Sequence, residues 1–590
     1  MTRRWCCLCL IALTVTVDAQ QSRGAAERPR LVGLDTAAVE TLIGHASERN
    51  ELADSNEAYW TYETAAGTLT LHFQNSAVVD VDPADFPVER ILRSASPAPS
   101  SPQSTPWTAF VDRFLTEPDH AGDLGAASFG EDLVRTRARL AELRAMDASR
   151  LSPDDALDRR FVETLLVRRE LEQAQLRRWR MDPRIYMRSL EAIATRLEDA
   201  DDDASAAAVE ILKLLKGLPQ DFRSGRRNLT LSVPNFQTLA LAVASAGGTT
   251  LATGVTKFAG SVPDQKDAIL AANAVARAAL SDWTDYLSKE LPKRPTGYTA
   301  AGIETYTAIL HDQYLLQYGV DQLYEFTRQE FERTEQRLKK AAAEIDDSRP
   351  WLTVAADMGD NAVDDIDADK IAALYRTAGE TARANLDAKQ LVAVPWTASL
   401  EDWRFTAADS TPESLFGTLD PAVVLIHAHA AYGDRVRALY QMHNASAVRR
   451  ERSAATFTDG WRLYVEQLLE QHELMPDDRA TLRLLQLRLL AIVRAAVDIG
   501  IHTHKMTDAQ ALSFLTDRVG LTKAAAEREI AATIDDPGSG LGYLGLTEIT
   551  RLRDDVQNAR GGAFSLTDFH AQLLKIGPLP LTLVRAALLN

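Results

Sequence analysis

The sequence predicts a mostly α-helical protein, with a large multi-helix domain behind a small N-terminal region that contains a β-hairpin. From residue 107 onward, apolar residues recur at three- and four-residue spacing, which is typical of helices with one buried face. Charged residues fill the opposite faces. Before residue 95, short runs of β-forming residues flank a glycine-containing turn. The chain has 590 residues, of which 46% are hydrophobic, so a large core is available.

The first 19 residues have the pattern of a secretory signal peptide. Arg3 and Arg4 form a basic head, Trp5–Val17 is apolar, and Ala19 is a small residue at the expected cleavage site. The apolar run is shorter than the ~20 residues that span a bilayer. We therefore expect a periplasmic or secreted protein with no membrane span. All three cysteines lie in this segment, so the cleaved chain would have no thiolate ligand.

Residues 20–94 are predicted to form a small separate region. A helix is expected at Thr36–Glu51, followed by strands at Tyr59–Thr64 and Thr68–Phe73. A third β-rich run, Ala77–Val81, would extend the hairpin to a meander. The Pro/Ser-rich segment 95–106 is predicted to be an extended linker to the helical domain, 107–590.

Helix signals continue through the domain that follows. The predicted helices are Leu133–Met146, Asp154–Trp179, Val209–Leu215, Ala268–Leu291, Val320–Ile345, Pro421–His443, Thr456–Glu473 and Arg479–Ile499. Gly247-Gly248 and the stretch Gly254–Gly260 are predicted to be loops or helix breaks. The net charge of -18 argues against a nucleic-acid partner, because phosphate binding needs clustered Lys and Arg.

Four motifs in the second half occur in a recognisable order. Asp459–Glu466 (D-G-W-R-L-Y-V-E) resembles E-G-W-x-L-Y-x-E, and Arg494–His502 resembles R-x-x-V-D-x-G-I-H. The loop 537–543 resembles P-G-x-x-x-x-Y, and Phe569–Leu581 resembles F-H-x-x-L-L-x-x-G-x-x-P-L. On these motifs the chain, from about residue 107, resembles the domain of unknown function 885 family, which is similar to gluzincin-type metallopeptidases.

The resemblance implies a zinc site, with a helix that reads H-E-x-x-P-G-H-H. Such a site needs three protein ligands, a metal-bound water and a glutamate base. Aligned on Gly433, this chain has Ala428 for the first histidine and His429 for the glutamate. Asp434 and Arg435 replace the paired histidines. The resemblance therefore implies a degraded zinc site without a bound cofactor.

The family's further ligand, the glutamate of E-G-W, is shortened here to Asp459. Arg435 would place a fixed positive charge where a dication sits. We predict that Arg435 pairs with Asp459 or Asp434 instead. The predicted remnant pocket consists of Gly433, Arg435, Asp459, Gly460 and Trp461.

The remnant-site candidates are His429, Asp498, His502 and Tyr543. Asp498 and His502 are four residues apart and would share one helical face, as a structural hydrogen bond or as a remnant substrate-binding pair. Tyr543 would donate to an oxyanion in an active relative. His427 and His429 are two residues apart, so on a helix they point to nearly opposite sides.

These observations support three hypotheses. The first is a non-catalytic pseudoenzyme whose cleft still binds peptide. The second is an active zinc peptidase with a rearranged ligand set, drawn from His427, His429, Asp434, Asp459 and His502. The third is a partner-binding protein that uses residues 20–106.

Overall fold

The computed structural model describes residues 36, 39, 46, 48–52, 57–64, 67–74, 77–82, 106–118, 120, 123–200, 203–360, 368–393, 400, 403–406, 415–416 and 419–589. The predicted signal peptide, 1–19, lies outside the described residues. The same is true of the predicted linker except Pro106, which begins a helix.

The N-terminal region contains an antiparallel sheet with the strand order β1-β2-β3-β4. The strands are β1 (Glu48–Leu52), β2 (Glu57–Thr64), β3 (Gly67–Gln74) and β4 (Ala77–Asp82). Trp60 pairs with Leu71 across β2 and β3, and both side chains are buried on one face. The predicted hairpin and its third strand are confirmed. The helix predicted over Thr36–Glu51 is wrong at its end, because residues 48–52 pair with β2 and tertiary pairing outweighs local propensity.

The remaining described chain is helical. Its helices are α1 (Pro106–Thr116), α2 (Ala126–Ala145), α3 (Pro153–Leu171), α4 (Arg188–Glu198), α5 (Ala204–Asn228), α6 (Pro234–Thr249), α7 (Val255–Ser261), α8 (Lys266–Lys289), α9 (Ile303–Ala308), α10 (Val320–Ile345), α11 (Trp351–Asp360), α12 (Ala368–Ala388), α13 (Pro421–Met442), α14 (Ala447–Glu451), α15 (Ala455–Gln471), α16 (Asp478–His502), α17 (Asp508–Ser513), α18 (Lys523–Asp535), α19 (Gly542–Arg560), α20 (Leu566–Ile576) and α21 (Leu581–Leu589). The prediction of a mostly helical chain is confirmed.

Each predicted helix from Leu133 onward overlaps a described helix, although α5 is much longer than predicted. The predicted break at Gly247-Gly248 is wrong, because both glycines lie inside α6. A methyl group on Gly247 would come within 2.7 Å of the Leu190 side chain, so this glycine serves close packing. The chain then passes from α6 to α7 through one wide helical turn, Thr250–Gly254, rather than a loop.

The apolar core is centred on α16, in which nearly every residue is buried. Helices α10, α13, α15, α18 and α19 surround it. A second apolar cluster lies between α4, α5, α6 and α8. By length and composition alone, one described helix, Pro234–Ser261, could cross a membrane. The buried core helices of soluble proteins pass the same test of length and composition, and one face of this helix packs in the second cluster. The predicted absence of a membrane span therefore stays a prediction.

Helices α15 and α19 cross at direct backbone contact. A methyl group on Gly545 would overlap the carbonyl oxygen of Thr456, and one on Gly460 would lie 2.5 Å from the Gly545 carbonyl carbon. Only hydrogen fits at these two positions. This crossing fixes the face of α15 that carries Asp459 relative to the rest of the domain.

We expect Gly545→Ala to lower the free energy of unfolding by about 3 kcal/mol or more, because rigid backbone cannot move away from the added methyl group. Thermal unfolding of the purified chain measures this effect. Gly130→Ala is the matched control, since Gly130 is exposed in α2 and a methyl group there meets nothing within 4 Å. Equal melting temperatures for the two variants would contradict a tight crossing.

Candidate functional site

Helix α13 presents two different faces to its surroundings. It begins at Asp420, whose carboxylate accepts from the N–H of Ala422 at 2.9 Å, and Pro421 occupies the first turn. Its Gly433 packs against Val465 of α15, where a methyl group would lie 2.6 Å from a Val465 methyl carbon. The Trp461 indole N–H donates to the carbonyl of Gly433 at 2.9 Å. These contacts join α13 to α15.

His429 lies on the side of α13 that faces α12. Its Nδ1 lies 2.8 Å from the carbonyl oxygen of Leu425, to which it donates, and Nε2 accepts from the Asn385 amide at 3.1 Å. The imidazole is fully buried, and burial lowers its pKa to about 4. Ala428 packs beside it in an apolar cluster with Tyr375. Ala428 and His429, which occupy the first two positions of the implied metal motif, therefore point away from α15 and α16.

His427 lies on another side of the same helix and shares it with Asp434, two turns later. Its buried Nε2 has no hydrogen-bond partner among the described residues. Burial, followed by the nearby guanidinium groups of Arg462 and Arg494, lowers the pKa of His427 to about 3. The imidazole is therefore neutral, and its Nε2 is available to a ligand.

Helix α15 carries three charged residues on one face: Asp459, Arg462 and Glu466. Within the described ranges, these side chains form no hydrogen bond or ion pair with the protein. Burial raises the pKa of Asp459 to about 6, and the Arg462 guanidinium opposes this shift. Burial also raises the pKa of Glu466.

Arg494 of α16 shows that this face borders an accessible space. Its side chain is 42% exposed, although the adjacent Val493 and Ala495 are fully buried. The guanidinium binds Glu529 of α18 through two hydrogen bonds of 2.6 and 2.7 Å. We call the place where α13, α15 and α16 meet the interior cleft. The charged and titratable side chains there act on one another electrostatically, and they are His427, Asp434, Asp459, Arg462, Glu466 and Arg494.

Arg488 of α16 lies close to Glu466. Each of these residues is only 6% exposed. Within the part of the chain that the structure describes, the Nε and Nη2 atoms of Arg488 have no acceptor. Its Nη1 has only a long contact of 3.4 Å with Gln467. Buried guanidinium nitrogens normally have acceptors, so Arg488 has unused donors.

The zinc site that the resemblance implies needs three protein side chains able to ligate the metal. Among residues 419–589 and the other described ranges, no group of three or more His, Cys, Asp or Glu side chains is placed to hold a metal ion. Asp434 forms its ion pair with Arg437 at 2.6 Å, rather than with the predicted Arg435, which lies on the exposed side of α13. The residues present do not fit zinc.

Asp498 and His502 share a face of α16, as predicted, but both engage backbone. The Asp498 carboxylate accepts from the N–H groups of Gly538 and Gly540 at 3.1 and 2.9 Å. His502 accepts from Ala301 N–H at Nδ1 and donates to the carbonyl of Thr533 from Nε2, 2.8 Å away. Both side chains are fully buried, and their closest atoms are 3.5 Å apart.

This pair therefore joins segments of the chain instead of facing a ligand. Burial raises the pKa of Asp498 to about 7, and the two backbone N–H groups oppose that shift. Burial lowers the pKa of His502 to about 4. A neutral imidazole with one donating and one accepting nitrogen matches both of its backbone partners.

Tyr543, the remaining predicted candidate, begins α19 and points toward α10. Its hydroxyl donates to Glu330 at 2.7 Å, and the ring is mostly buried. Burial and the Glu330 carboxylate raise its pKa well above the usual range. Of the predicted remnant pocket, Gly433, Gly460 and Trp461 form helix contacts, and Asp459 borders the cleft.

Arg462, Glu466 and Arg488 were not among the site residues predicted from the sequence. Arg462 and Glu466 follow Asp459 by three and seven residues, and this spacing predicts a shared face. Arg488 lies within a long apolar stretch of α16, where an isolated charge stands out. These signals were present in the sequence, but only the packing of α15 on α13 and α19 shows where the face points.

Comparison with known proteins adds a family assignment. The model of the family "Bacterial protein of unknown function (DUF885)" matches residues 112–405 and 436–588. The chain belongs to this family. The match is interrupted at 406–435, which includes His427, Ala428, His429 and Asp434. The part of α13 that would carry the implied zinc motif is therefore the part that departs from the family pattern.

Two solved structures share the fold. A "putative lipoprotein of unknown function" from Shewanella oneidensis has a TM-score of 0.67 and 15% identity, covering 82% of this chain and 99% of that one. A "putative lipoprotein" from Colwellia psychrerythraea has a TM-score of 0.61 and 13% identity, covering 82% and 95%. No curated protein matches the chain.

Asp498→Ala would leave the Gly538 and Gly540 N–H groups without their acceptor. We expect the free energy of unfolding to fall by about 2–4 kcal/mol. Faster hydrogen exchange in residues 536–541 would localise the effect. Asp478→Ala is the matched control, because Asp478 is exposed in the first turn of the same helix. Equal exchange rates in the two variants would show that Asp498 does not hold this loop.

The raised pKa of Asp459 predicts a pH-dependent stability difference. Because the folded state favours the neutral carboxyl, its contribution is present below the ordinary pKa of 3.8 and is lost as pH rises through about 6. Asp459→Asn should match the wild type near pH 4 and exceed it at pH 8, by on the order of 1–3 kcal/mol. Melting temperatures across this range measure the difference. Asp508→Asn, an exposed control, should show no such trend.

Proposed function

We propose that this chain is an exported, non-catalytic protein of a metallopeptidase-like family that binds peptide in the interior cleft. The observation that carries the proposal is the composition of the cleft. It presents unpartnered charged groups on α15 and one available imidazole nitrogen, His427 Nε2, without a metal-binding set among the described residues. Such a cleft is suited to hold polar groups of a ligand rather than to activate water.

The loss of catalysis follows from the positions of the replaced residues. A zinc peptidase needs its ligands and its base on the side of the helix that faces the substrate. Here Ala428 and His429 face α12, and both are fully buried. Arg462 and Arg494 lie near His427 and would repel a dication in the cleft.

Export is supported by the predicted signal peptide at residues 1–19. It is also supported by the two proteins of similar fold, both described as "putative lipoprotein". We therefore propose a periplasmic or secreted location after cleavage near Ala19. Peptides from protein turnover outside the cytoplasm would then be accessible to the cleft.

A second candidate function is an active zinc peptidase with a rearranged ligand set. One observation favours it: the unpartnered Nε2 of His427 shares the cleft with Asp434 and Asp459. His429 and His502 do not contribute, because both nitrogens of each imidazole engage other groups. This candidate requires zinc to displace Arg437 from Asp434.

Metal content separates the two functions. We expect the mature chain, purified without chelator and measured by plasma mass spectrometry, to contain far less than one equivalent of zinc. A variant with Ala428→His, His429→Glu and Asp434→His should also fail to gain zinc, since positions 428 and 429 face α12. Stoichiometric zinc that is lost in His427→Ala, together with chelator-sensitive peptide cleavage, would establish the second candidate instead.

A further inference from the structure

A groove lies between α5 and α8, at the surface of the second apolar cluster. It is lined by residues within 219–226 of α5 and 279–290 of α8, and its volume is about 560 Å³. The two helices run in the same direction here, because Phe222 stacks on Trp283 and Arg226, one turn later, lies over the ring of Tyr286. We call this space the outer groove. It shares no lining residue with the interior cleft of α13, α15 and α16.

The outer groove has one apolar end and one polar end. Because the helices are parallel, Pro219 and Ala279 lie at the same end, where Phe222 adds an aromatic ring. Tyr286 and Glu290 line the other end. A small molecule that carries both an apolar group and polar groups matches this arrangement, which is typical of ligand pockets.

The walls of the outer groove carry opposite charges that do not pair across it. Arg223 lies on the α5 wall, and Asp282 and Asp285 lie on the α8 wall. The Nε of Arg223 donates to Gln220 of its own helix at 3.1 Å, and Asp285 pairs with Lys289 of its own helix at 3.0 Å. Within the described chain, the Asp282 carboxylate has no hydrogen bond or ion pair. A ligand with one negative and one positive end therefore matches both walls.

The polar end contains a fixed guanidinium group and an unmatched hydroxyl group. Arg226 donates from Nη2 to the carbonyl oxygen of Asp282, and its guanidinium lies 5.1 Å from the centre of the Tyr286 ring. Tyr286 is only 5% exposed, and its hydroxyl has no hydrogen-bond partner in the described ranges, although the guanidinium of Arg294 lies near it. Both kinds of donor bind carboxylate oxygens, so the negative end of a ligand fits here.

We propose that the outer groove binds a short peptide with free termini and an apolar side chain. The carboxylate binds at Arg223 and Arg226, the ammonium group binds at Asp282, and the apolar side chain contacts Phe222. Because each terminus meets an opposite charge, the groove selects the zwitterion over peptides with a blocked terminus. This is a second site, and it does not depend on the ligand proposed for the interior cleft.

The test uses the mature chain and three ligands: the dipeptide Ala-Phe, N-acetyl-Ala-Phe, and the C-terminal amide of Ala-Phe. We expect Ala-Phe at millimolar concentration to slow hydrogen exchange in residues 219–226 and 279–290. Calorimetric titration then compares the three affinities. Each blocked form should bind at least about fivefold more weakly than Ala-Phe, since each loses one charge-assisted hydrogen bond.

Variants assign each end of the ligand to its wall. Arg223→Gln should weaken the binding of Ala-Phe about fivefold or more and leave the affinity for its amide, which has no carboxylate, unchanged. Asp282→Asn should weaken Ala-Phe similarly and leave N-acetyl-Ala-Phe, which has no ammonium group, unchanged. Arg277→Gln and Asp267→Asn are the matched controls, because both residues are exposed in α8 outside the groove, and they should leave all three affinities unchanged.

The location of the protected amides separates this inference from the proposed function. Protection confined to residues 423–466 would support the interior cleft and overturn the second site. Protection confined to the outer groove would support the second site and speak against the interior cleft. Equal affinities for the three ligands would overturn the selection of the zwitterion. Because these comparisons use the wild-type chain, they do not depend on the folding of any variant.

Discussion

The structure depends on the burial of α16, an apolar helix that also carries several polar side chains into the core. Burying such groups is tolerated only when each finds a partner. Arg483 binds Asp420 at the start of α13, Gln486 donates to the carbonyl of Val519, and Asp498 accepts from the backbone of the loop 536–541. Each ion pair or hydrogen bond fixes another element to the same helix. The polar groups of α16 therefore determine how its neighbours are arranged.

Arg488 departs from this pattern. The other buried polar groups of α16 are matched within the protein, while the Nε and Nη2 atoms of Arg488 have no acceptor among the described residues. His427 Nε2 of α13 is likewise unmatched, and so are buried polar atoms elsewhere in the fold, such as Arg188 Nε and Asn273 Oδ1. The described structure thus leaves unmatched polar atoms in several places rather than in one.

The charges near His427 differ from those of the zinc site that the family resemblance implies. A metal site gathers negative and neutral donors around a dication. This cleft instead brings guanidinium groups near its one available imidazole, whose pKa is lowered by burial and by those cations. The interruption of the family match at 406–435 falls on the same part of α13. The segment of α13 that the family model does not match is thus also the segment that carries His427, beside which these guanidinium groups lie.

The class of fold and the family were predictable from the sequence alone. Helical periodicity is a local property, so the helices were predictable, as were caps such as Asp420 and Thr507. That the side chains of His427 and His429 point to different sides of α13 was also predictable, because it follows from the pitch of one helix. The antiparallel β2–β3 hairpin was recognisable from its two strands and the short turn between them.

Tertiary structure decided what each side chain does. Asp498 and His502 could have formed a site or a structural pair, and only their backbone partners 31 to 201 residues away made them structural. The glycines at 247 and 248 looked like breaks, but the close approach of Leu190 to Gly247 explains a helix there. The approach of Arg462 to His427, Asp459 and Glu466 follows from the packing of α15 on α13 and α19. Such contacts join residues far apart in the chain, so no local pattern encodes them.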